Sequence, residues 1–454
     1  MRVTMIGGGY VGLVSGACFA SIGADVTIVE TDPARIGALR KGMLPIYEAG
    51  LDDLVAENLA AGRLRFTDSI QAVAGANIVF LAVGTPASRG DGHADLSYLF
   101  DAAEQVAPCL TGPTVLVTKS TVPVGTGRRL GALMAERRPD LCICVAANPE
   151  FLREGNAIED FLHPDRIIIG TSSEAARSAL AALYEPLTHT GGPLINTQVE
   201  TAELIKYAAN AFLALKISFI NEIADLCEKL DANVDDTVIG LGLDRRIGPR
   251  FLQPGPGFGG SCFPKDTQAL VRIAQDAGAP ARLVETVVAV NDARKAAMAG
   301  RVITAFGGSV RGRRITILGL TFKPGTDDVR ESPAITIIHR LVEEGAIVSA
   351  YDPMGINHAR FQLPSRTRLC ESAGAALEGA DAVVIVTEWT EFRALSIAEL
   401  RANMRGRLII DLRNILDAET FRAAGFNYRG IGRPSSVCEA QEEPYMPLRA
   451  RAAQ

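Results

Sequence analysis

The residues best suited to chemistry lie in a glycine-rich stretch, residues 257–266, which reads GFGGSCFPKD. It places Cys262 behind two glycines and shortly before Lys265 and Asp266. Glycines let a backbone approach a ligand closely, and a thiol flanked by charged groups can act as a nucleophile. Most cysteines are packing residues instead. The stretch by itself therefore allows two interpretations, a nucleophilic loop or a tight turn around a buried thiol.

A second polar pair lies in the segment from Glu200 to about Leu230, which contains neither glycine nor proline. Its apolar residues recur at helical spacing, so the segment predicts one long helix. Lys206 and Asn210 are four residues apart and share one face of that helix. An exposed lysine is the ordinary interpretation, but the apolar neighbours favour burial of both side chains for a purpose. The length of the helix suits it to join two domains or to form a dimer.

The elements that must position these groups begin with a glycine motif, GGGYVG, at residues 7–12. It follows a predicted strand and opens a predicted helix, and Glu30 comes roughly 20 residues later, as the dinucleotide-binding fingerprint requires. Gly7 would make the tight turn, Gly9 would let the backbone reach the pyrophosphate, and Gly12 would let helix and strand pack closely. The pyrophosphate would sit at the helix N-terminus. Glu30 would bind the ribose hydroxyls and repel a 2′-phosphate, so we predict NAD rather than NADP.

Three more predicted strands end in polar residues at the carboxyl edge of the sheet, where ligands bind in such folds. One is followed by Thr85, one by Lys119–Ser120–Thr121, and one by residues 148–155, which read NPEFLREG. Ordinary turn chemistry at strand ends accounts for such residues equally well. Their position alone therefore leaves their role open.

The two ends of the chain repeat each other. RVTMIG at residues 2–7 returns as RITILG at residues 314–319, and two further strand-like runs return in the same order. Each run is apolar and β-branched, which is typical of buried parallel strands. We therefore predict an α/β protein with two Rossmann-like doubly wound domains joined by a long central helix. The predicted divisions are an NAD-binding domain (1–199), a central helical connector and dimerisation region with the cysteine loop (200–305, with a second helical block at about 266–305), a second Rossmann-like domain (306–440) and a loosely ordered tail (441–454).

The second half lacks the glycine motif. After Gly319 its loop carries Lys323 and Arg330 instead, so we predict that it binds a different phosphorylated ligand, with Lys323 near a diphosphate. Several carboxylates lie nearby, and a solvated charged loop is the alternative.

Composition narrows the class of protein further. The 454-residue chain has a net charge of −6, which gives no case for nucleic-acid binding. Its eight cysteines match neither a disulfide framework nor a zinc site, so we predict no metal and a reducing compartment. Cys142 and Cys144 are expected on one face of a buried strand. No signal peptide or bilayer-length apolar run is visible, which predicts a cytoplasmic protein without membrane contact.

Together these motifs resemble the UDP-glucose/GDP-mannose dehydrogenase family. The matching segments follow family order from residue 1 to about residue 435: 7–12, 83–86, 119–126, 148–155, 251–266 and 319–327. The resemblance implies a four-electron oxidation. The sugar 6-hydroxyl would give one hydride to NAD, Cys262 would trap the aldehyde as a thiohemiacetal, and a second NAD would take a hydride to leave a thioester that water hydrolyses. It also implies a homodimer or a higher homo-oligomer.

The resemblance implies roles for single residues as well. Lys206 would stabilise the developing alkoxide and oxyanion, and Asn210 would orient the oxyanion and water. Asp266 would handle protons through a water that Thr121 helps to hold, and Glu154 would be the base for thioester hydrolysis. The implied NAD contacts are Gly7, Gly9, Val11, Gly12, Glu30, Arg35, Thr85, Thr121, Glu154, Lys265 and Arg330. The implied sugar-nucleotide contacts are Glu150, Phe151, Leu152, Arg153, Glu154, Lys206, Asn210, Phe251, Leu252, Gln253, Pro254, Gly255, Gly259, Lys323 and Arg413, together with Arg246, which would reach across a dimer interface.

Substrate choice depends on smaller features. Relatives that act on GDP-mannose tend to read SCLPKD, whereas this chain has Phe263, and Phe263 with the run Arg246–Ile247–Gly248 favours UDP-glucose. Glu30 stands where the family more often has aspartate, but its longer arm still reaches ribose hydroxyls, so NAD remains the predicted cofactor. Three alternatives stay open: a dehydrogenase of GDP-mannose or UDP-N-acetylmannosamine, a two-electron hydroxyacid dehydrogenase, and a non-catalytic NAD-dependent binding protein.

Overall fold

The computed structural model describes residues 1–86, 92–189 and 192–433. The described residues contain two separate β-sheets, each covered by helices, and a block of long helices that follows the first sheet in the chain. The predicted tail at 441–454 lies outside the described residues, as does Cys438. No helix in the described ranges has the length and apolar character needed to span a membrane.

The first sheet is built from short strands, of which the apolar Ile78–Leu81, Thr114–Thr118 and Ile167–Gly170 are buried along their whole length. Its strands are β1 (Arg2–Ile6), β2 (Asp25–Val29), β3 (Leu64–Thr67), β4 (Ile78–Leu81), β5 (Thr114–Thr118), β6 (Ile143–Ala147), β7 (Ile167–Gly170) and β8 (Leu194–Thr197). Their order is β3-β2-β1-β4-β5-β6-β7-β8. Neighbouring strands are parallel except for β6 and β7. Such strands need helices on both faces of the sheet.

Seven helices in the described residues accompany this sheet. They are α1 (Tyr10–Ser21), α2 (Pro33–Leu39), α3 (Leu51–Ala60), α4 (Ser97–Val106), α5 (Thr126–Arg137), α6 (Ala157–Leu162) and α7 (Glu174–Thr188). Local sequence explains some of their starts: the Asp32 side chain accepts from the first turn of α2, and Ser173 does the same for α7.

The helical block confirms the predicted long helix and divides the segment that follows it. The elements are α8 (Val199–Leu230), α9 (Val234–Gly242), α10 (Phe263–Asp276) and α11 (Arg282–Ala305). The second predicted helical block, 266–305, is therefore two helices with a break at residues 277–281. Gly278 has a φ of +68° there, and Pro280 has no N–H to donate, so the backbone leaves the helical path.

The second sheet repeats the topology of the first. Its strands are β9 (Arg314–Leu318), β10 (Ile347–Tyr351), β11 (Arg368–Leu369), β12 (Ala382–Ile385), β13 (Leu408–Asp411) and β14 (Asn427–Arg429). The helices are α12 (Pro333–Glu343), α13 (Ile356–Ala359), α14 (Ala373–Leu377), α15 (Thr390–Arg393), α16 (Ile397–Asn403) and α17 (Ala418–Ala423). The order is β11-β10-β9-β12-β13-β14, which matches the first six strands of the other sheet. The predicted pair of Rossmann-like domains is confirmed.

One smaller prediction is wrong. Cys142 is exposed, because β6 begins only at the next residue, and Cys144 inside the strand is half-buried. The first three residues of β6 are all partly accessible, so an apolar run in the sequence does not guarantee a fully covered strand.

Candidate active site

Cys262 lies directly before α10, at the end of the glycine-rich loop. The Cys262 carbonyl accepts the Asp266 N–H at 2.8 Å and begins the helix. Two glycines of the loop lie where side chains would not fit: a Cβ on Gly259 would come within 2.4 Å of the Glu331 carbonyl oxygen, and one on Gly260 would come within 2.8 Å of the Phe322 ring. The thiol is therefore carried by a loop that packs closely against the second half of the chain.

The loop is held from behind by polar residues of α8 and α11. The Asn291 side chain accepts the Phe258 N–H at 2.8 Å and donates to the Phe258 carbonyl at 3.1 Å. Asn221 accepts the Gly255 N–H at 2.8 Å, and Arg294 donates to the Gly255 carbonyl at 2.8 Å. These supporting residues were missed from the sequence, where the only available signal was their polar character inside apolar helical segments.

Lys206 is buried beside the segment that follows β6. Its Nζ donates to the Glu150 carbonyl at 2.7 Å and to Glu150 Oε1 at 2.9 Å. Burial lowers the pKa of Lys206, but the nearby negative charges, chiefly Glu150, raise it more, so the net pKa lies above its ordinary value. For Glu150, burial raises the pKa, but Lys206 and the other nearby donors and charges lower it by more in total. The net pKa of Glu150 therefore lies below its usual range. Both shifts describe a charged, buried pair.

Asn210 and Asp266 meet on the other side of the thiol loop. Asn210 Nδ2 donates to Asp266 Oδ2 at 2.6 Å, and Lys265 Nζ donates to Asp266 Oδ1 at 2.7 Å. Asp266 is 1% exposed. The long helix therefore presents Lys206 to one carboxylate and Asn210 to another, as two residues on one helix face should.

The thiol of Cys262 is protonated in this environment. Burial raises the pKa of the Cys262 thiol to about 11; Lys206 lowers it, whereas Glu150 and Asp266 raise it. A thiolate here therefore requires a base to take the proton at the moment of attack. The Ser261 hydroxyl lies 3.5 Å from the sulfur.

Glu154 links three separate segments. It accepts the Ser261 hydroxyl at 3.2 Å and the Thr326 hydroxyl at 2.9 Å, and Arg330 lies 3.9 Å from its Oε1. Burial raises the pKa of Glu154, and Asp328 raises it as well, against the lowering effects of Thr326, Arg330 and Lys323. A carboxyl group with a raised pKa next to the nucleophile loop is a stronger base than an ordinary carboxylate and is suited to proton transfer.

The glycine motif has the shape that a dinucleotide requires. Gly7 has a φ of +109°, and a Cβ on Gly12 would lie 1.9 Å from the Gly7 carbonyl oxygen. A Cβ on Gly9 would meet no atom within 4 Å. Gly9 therefore faces open space in front of the first turn of α1, where backbone N–H groups favour an anion. The residues present fit a bound dinucleotide.

Glu30 lies at the end of β2, as the fingerprint places it. Its carboxylate accepts the Gly8 N–H at 3.1 Å and the Asp32 N–H at 2.8 Å, and Arg35 lies 3.9 Å away. Each carboxylate oxygen accepts more than one hydrogen bond, so Glu30 retains capacity for ribose hydroxyls. Thr85 donates to the Thr121 carbonyl at 2.8 Å, which joins two predicted ligand-edge residues. Val11 is half-buried in the first turn of α1.

The residues predicted to contact the sugar nucleotide differ in their contacts and in how deeply they are buried. Phe151 stacks under Arg166 at 3.6 Å and lies 5.3 Å from Lys206 Nζ. Leu152 is half-buried, while Arg153 forms several hydrogen bonds with Asp160. Leu252, Pro254 and Gly255 are buried and Gln253 is exposed.

Phe251 adopts the left-handed backbone conformation (φ +66°), and its ring lies 6.0 Å from that of Phe263. Arg246 is not brought to this site: its guanidinium pairs with Asp244 and is 89% exposed, so its role at a partner subunit stays a prediction.

The second half contributes Lys323, Arg330 and Arg413. Burial lowers the pKa of Lys323, although Glu154 raises it. Arg330 pairs with Asp328 at 2.8 Å, and Arg413 donates to the carbonyls of Val386 at 2.8 Å and Phe322 at 3.1 Å. Arg413 also packs against Gly255 of the cysteine loop. In the part of the chain that the structure describes, no cluster of His, Cys, Asp and Glu could hold a metal ion.

Comparison with known proteins agrees with this geometry. Three sequence models of the UDP-glucose/GDP-mannose dehydrogenase family match the chain: the NAD binding domain at residues 1–188, the central domain at 200–293 and the UDP binding domain at 316–418.

A UDP-glucose 6-dehydrogenase of Rhizobium meliloti (strain 1021) is 56% identical over 96% of this chain and 100% of its own length. A UDP-glucose dehydrogenase of the archaeon Pyrobaculum islandicum superposes with a TM-score of 0.87 at 38% identity, covering 95% of this chain and 98% of that structure. A UDP-D-ManNAc dehydrogenase of Pyrococcus horikoshii superposes with a TM-score of 0.84 at 30% identity, covering 95% of this chain and 99% of that structure. The chain therefore belongs to the UDP-glucose/GDP-mannose dehydrogenase family and is an NAD-dependent oxidoreductase.

Proposed function

We propose that this enzyme oxidises UDP-glucose to UDP-glucuronate in two NAD-dependent steps at one site, with Cys262 as the covalent nucleophile. The observation that carries the proposal is the convergence of Cys262, Lys206 and the Asn210–Asp266 pair from α8 and α10. A two-electron dehydrogenase has no use for a thiol in this place. The 56% identical relative is a UDP-glucose 6-dehydrogenase, which supports the substrate.

In the first step the sugar 6-hydroxyl passes its proton through water to Asp266, which releases it to solvent, and its carbon loses a hydride, which leaves an aldehyde. NAD, when bound, accepts the hydride in each of the two oxidations. Lys206 donates two of its three protons to Glu150, so the third is available to the substrate oxygen. Thr121 and Lys206 line the same small cavity, which supports the predicted water near them.

In the second step sulfur adds to the aldehyde carbon. Because the resting thiol is protonated, its proton must leave as the C–S bond forms, and Asp266 is the carboxylate proposed to receive it through water. The thiohemiacetal then loses a hydride to the second NAD, passes its hydroxyl proton through the same water to Asp266 and on to solvent, and becomes a thioester. Water attacks the thioester carbon with Glu154 as the proposed base, the C–S bond breaks, and the carboxylate product and the thiol are restored.

We also propose that the enzyme is a homodimer formed through α8. Phe212, Phe219 and Leu226 recur every seven residues and are 62%, 46% and 50% exposed, and Leu230 at 68% extends the same stripe. Seven-residue spacing of apolar side chains is typical of helices that pack against each other. Sedimentation of a Phe219→Glu variant as a monomer would support this interface, and an unchanged sedimentation coefficient would contradict it.

The described cysteines are all free thiols, which supports a cytoplasmic location. The domain boundaries near residues 199, 305 and 440 remain proposals; the gaps between the family matches, at 189–199 and 294–315, support the first two.

The decisive experiment counts NADH released per UDP-glucose consumed. We expect two for the wild type, and for Cys262→Ser a stall after the first oxidation or at a trapped intermediate, with overall turnover reduced by at least 100-fold. A ratio of one would instead indicate a two-electron dehydrogenase. Parallel assays with GDP-mannose and UDP-N-acetylmannosamine test the substrate, and better turnover of either than of UDP-glucose would overturn that choice.

A further inference from the structure

Glu48 is a buried carboxylate to which the sequence drew no attention. It lies between α2 and α3 and is 4% exposed. Its Oε2 accepts the Gly155 N–H at 2.6 Å, and its Oε1 accepts the Ala157 N–H at 2.7 Å. The Tyr10 hydroxyl also donates to Oε2. A buried carboxylate is tolerated when donors satisfy it in this way, but two backbone donors at α6 do not explain why a tyrosine from another element joins them.

The tyrosine belongs to the cofactor loop. Tyr10 is the first residue of α1 and follows Gly9, which faces the open space that fits a pyrophosphate. Burial and then Glu48 raise the pKa of the Tyr10 hydroxyl above its ordinary value, so it stays a donor. Any shift of the first turn of α1 on cofactor binding is therefore transmitted to Glu48.

At its other end Glu48 holds the point where the two halves of the chain touch. A Cβ on Gly155 would lie 2.6 Å from the Gly325 carbonyl oxygen. Next to this contact Glu154 accepts hydroxyl donors from Ser261 at 3.2 Å and from Thr326 at 2.9 Å. The position of the Gly155 backbone therefore sets the position of the Glu154 carboxylate against the nucleophile loop and the second half.

We propose that Glu48 is a positioning residue that couples the cofactor loop, through Tyr10, to the Glu154 carboxylate used in thioester hydrolysis. This inference rests on the function proposed above. It assigns Glu48 no contact with the reacting atoms. Its effect is to keep Glu154 in place for water attack while the cofactor loop is occupied.

The test uses Glu48→Gln and Tyr10→Phe in the full-length enzyme, with Glu57→Gln, an exposed glutamate of α3, as the matched control. Glutamine keeps the size of the side chain but turns an NH₂ group toward at least one of the donors, so that bond is lost. We expect kcat with UDP-glucose to fall roughly tenfold or more in Glu48→Gln. The initial release of two NADH per site should persist, and a sugar adduct on Cys262 should accumulate in intact-protein mass spectra.

The Tyr10→Phe variant is the more specific test of the proposed coupling. The Tyr10 hydroxyl donates to Glu48 rather than to Glu154, yet its loss should also slow release of the adduct and raise the KM for NAD. The double variant should be no slower than Glu48→Gln alone, because the two residues act as one unit. If Glu48→Gln does not fold, Tyr10→Phe still decides, since adduct accumulation in it is expected only from coupling.

The outcomes separate the two proposals. A wild type that releases one NADH per sugar overturns the proposed function. A wild type that releases two, beside variants that lose thermal stability or kcat without accumulating adduct, overturns the coupling alone. Adduct accumulation in both variants but not in Glu57→Gln supports it.

Discussion

The two Rossmann-like halves share a strand order but differ in the loop that follows the first strand of each, β1 and β9. Gly7 and Gly319 end the equivalent strands β1 and β9, with φ values of +109° and +97°. Each donates its N–H to the last residue of the neighbouring strand at 2.9 Å, Gly7 to Val29 and Gly319 to Tyr351. Up to this residue the two halves have the same strand order, the same turn and the same backbone hydrogen bond.

They differ at the acidic residue that follows the second strand. Asp352, in the place of Glu30, accepts six donors and is 0% exposed. Among them are the loop N–H groups of Leu320 and Thr321, at 2.7 and 3.0 Å. In the first half α1 begins directly after Gly9, whereas α12 begins only at Pro333. The first loop gives Glu30 the Gly8 N–H at 3.1 Å, whereas the second gives Asp352 the N–H groups of both Leu320 and Thr321. More of the first loop's N–H groups therefore remain for an anion.

This difference shows that strand order alone does not determine which ligand a domain binds. Occupancy of the loop N–H groups by the protein decides whether a helix N-terminus can receive a phosphate. We therefore propose that the second half holds a phosphorylated ligand with side-chain cations, with Lys323 and Arg413 as the candidates.

The largest expected effect comes from Gly12→Ala. Its Cβ would lie 1.9 Å from the Gly7 carbonyl oxygen, so the loop must move. We expect NAD affinity, measured by calorimetry, to fall by at least about 100-fold, with a lower thermal midpoint. Gly9→Ala is the matched control, since its Cβ meets open space; it should fold as stably as the wild type yet still bind NAD more weakly. Equal NAD affinity in both variants and the wild type would contradict the assignment of this loop.

Asp352→Ala should act on stability rather than on cofactor binding. It would leave several buried donors unpaired, and each such donor costs roughly 1–3 kcal/mol, so we expect at least about 3 kcal/mol of destabilisation in urea unfolding. The KM for NAD should stay unchanged at temperatures where the variant is folded. A variant as stable as the wild type would show that Asp352 does not hold the second loop.

Glu30→Ala is the counterpart in the first half and should behave in the opposite way. Loss of the hydrogen bonds that the ribose hydroxyls donate to a charged carboxylate should lower NAD affinity about tenfold, and discrimination against NADP should relax. Stability should change little compared with Asp352→Ala. Unchanged preference between NAD and NADP would show that Glu30 does not contact the ribose.

The effect of pH on stability depends on buried groups at the ends of the equivalent strands β5 and β13. Lys119 Nζ donates to Asn148 at 2.9 Å and Tyr184 at 3.0 Å, and burial lowers its pKa from 10.5 to about 7, with Glu150 raising it and Lys206 lowering it. In the second half the buried titratable group at this strand end is a carboxylate, Asp411, one register position earlier than Lys119, and burial raises its pKa.

Because the folded-state pKa of Lys119 lies below its ordinary value, the unfolded chain binds that proton more tightly. The penalty for burying the charge is full below pH 7 and disappears as the pH rises toward 10.5. The wild type should therefore gain a few kcal/mol of stability relative to Lys119→Met between pH 7 and pH 10. Lys41→Met, at an exposed position, should show no such pH dependence. A pH-independent difference for Lys119→Met would mean that Lys119 does not titrate in this range.

Much of the site could be predicted because the types of its residues and their spacing in the sequence are typical of such sites. The cysteine loop, the pair Lys206–Asn210 and the glycine motif each combine local geometry with a chemical need. Glu48, Asn221 and Asn291 could not be found in this way, since a single polar residue in a loop or helix has no partner until the chain folds. The break near Gly278 is a different case, because Gly278 and Pro280 are local signals that the sequence already contains.

The sequence by itself determined the two sheets of mostly parallel strands, the long helix and the NAD fingerprint. These follow from apolar periodicity and from glycines that no other residue can replace at short range. Only the tertiary structure decided which charges meet. It paired Lys206 with Glu150, kept the Cys262 thiol protonated by burial, gave the second loop's N–H groups to Asp352, and joined Tyr10 to Gly155 through Glu48. Such pairings depend on distances between segments far apart in the chain, which local spacing does not encode.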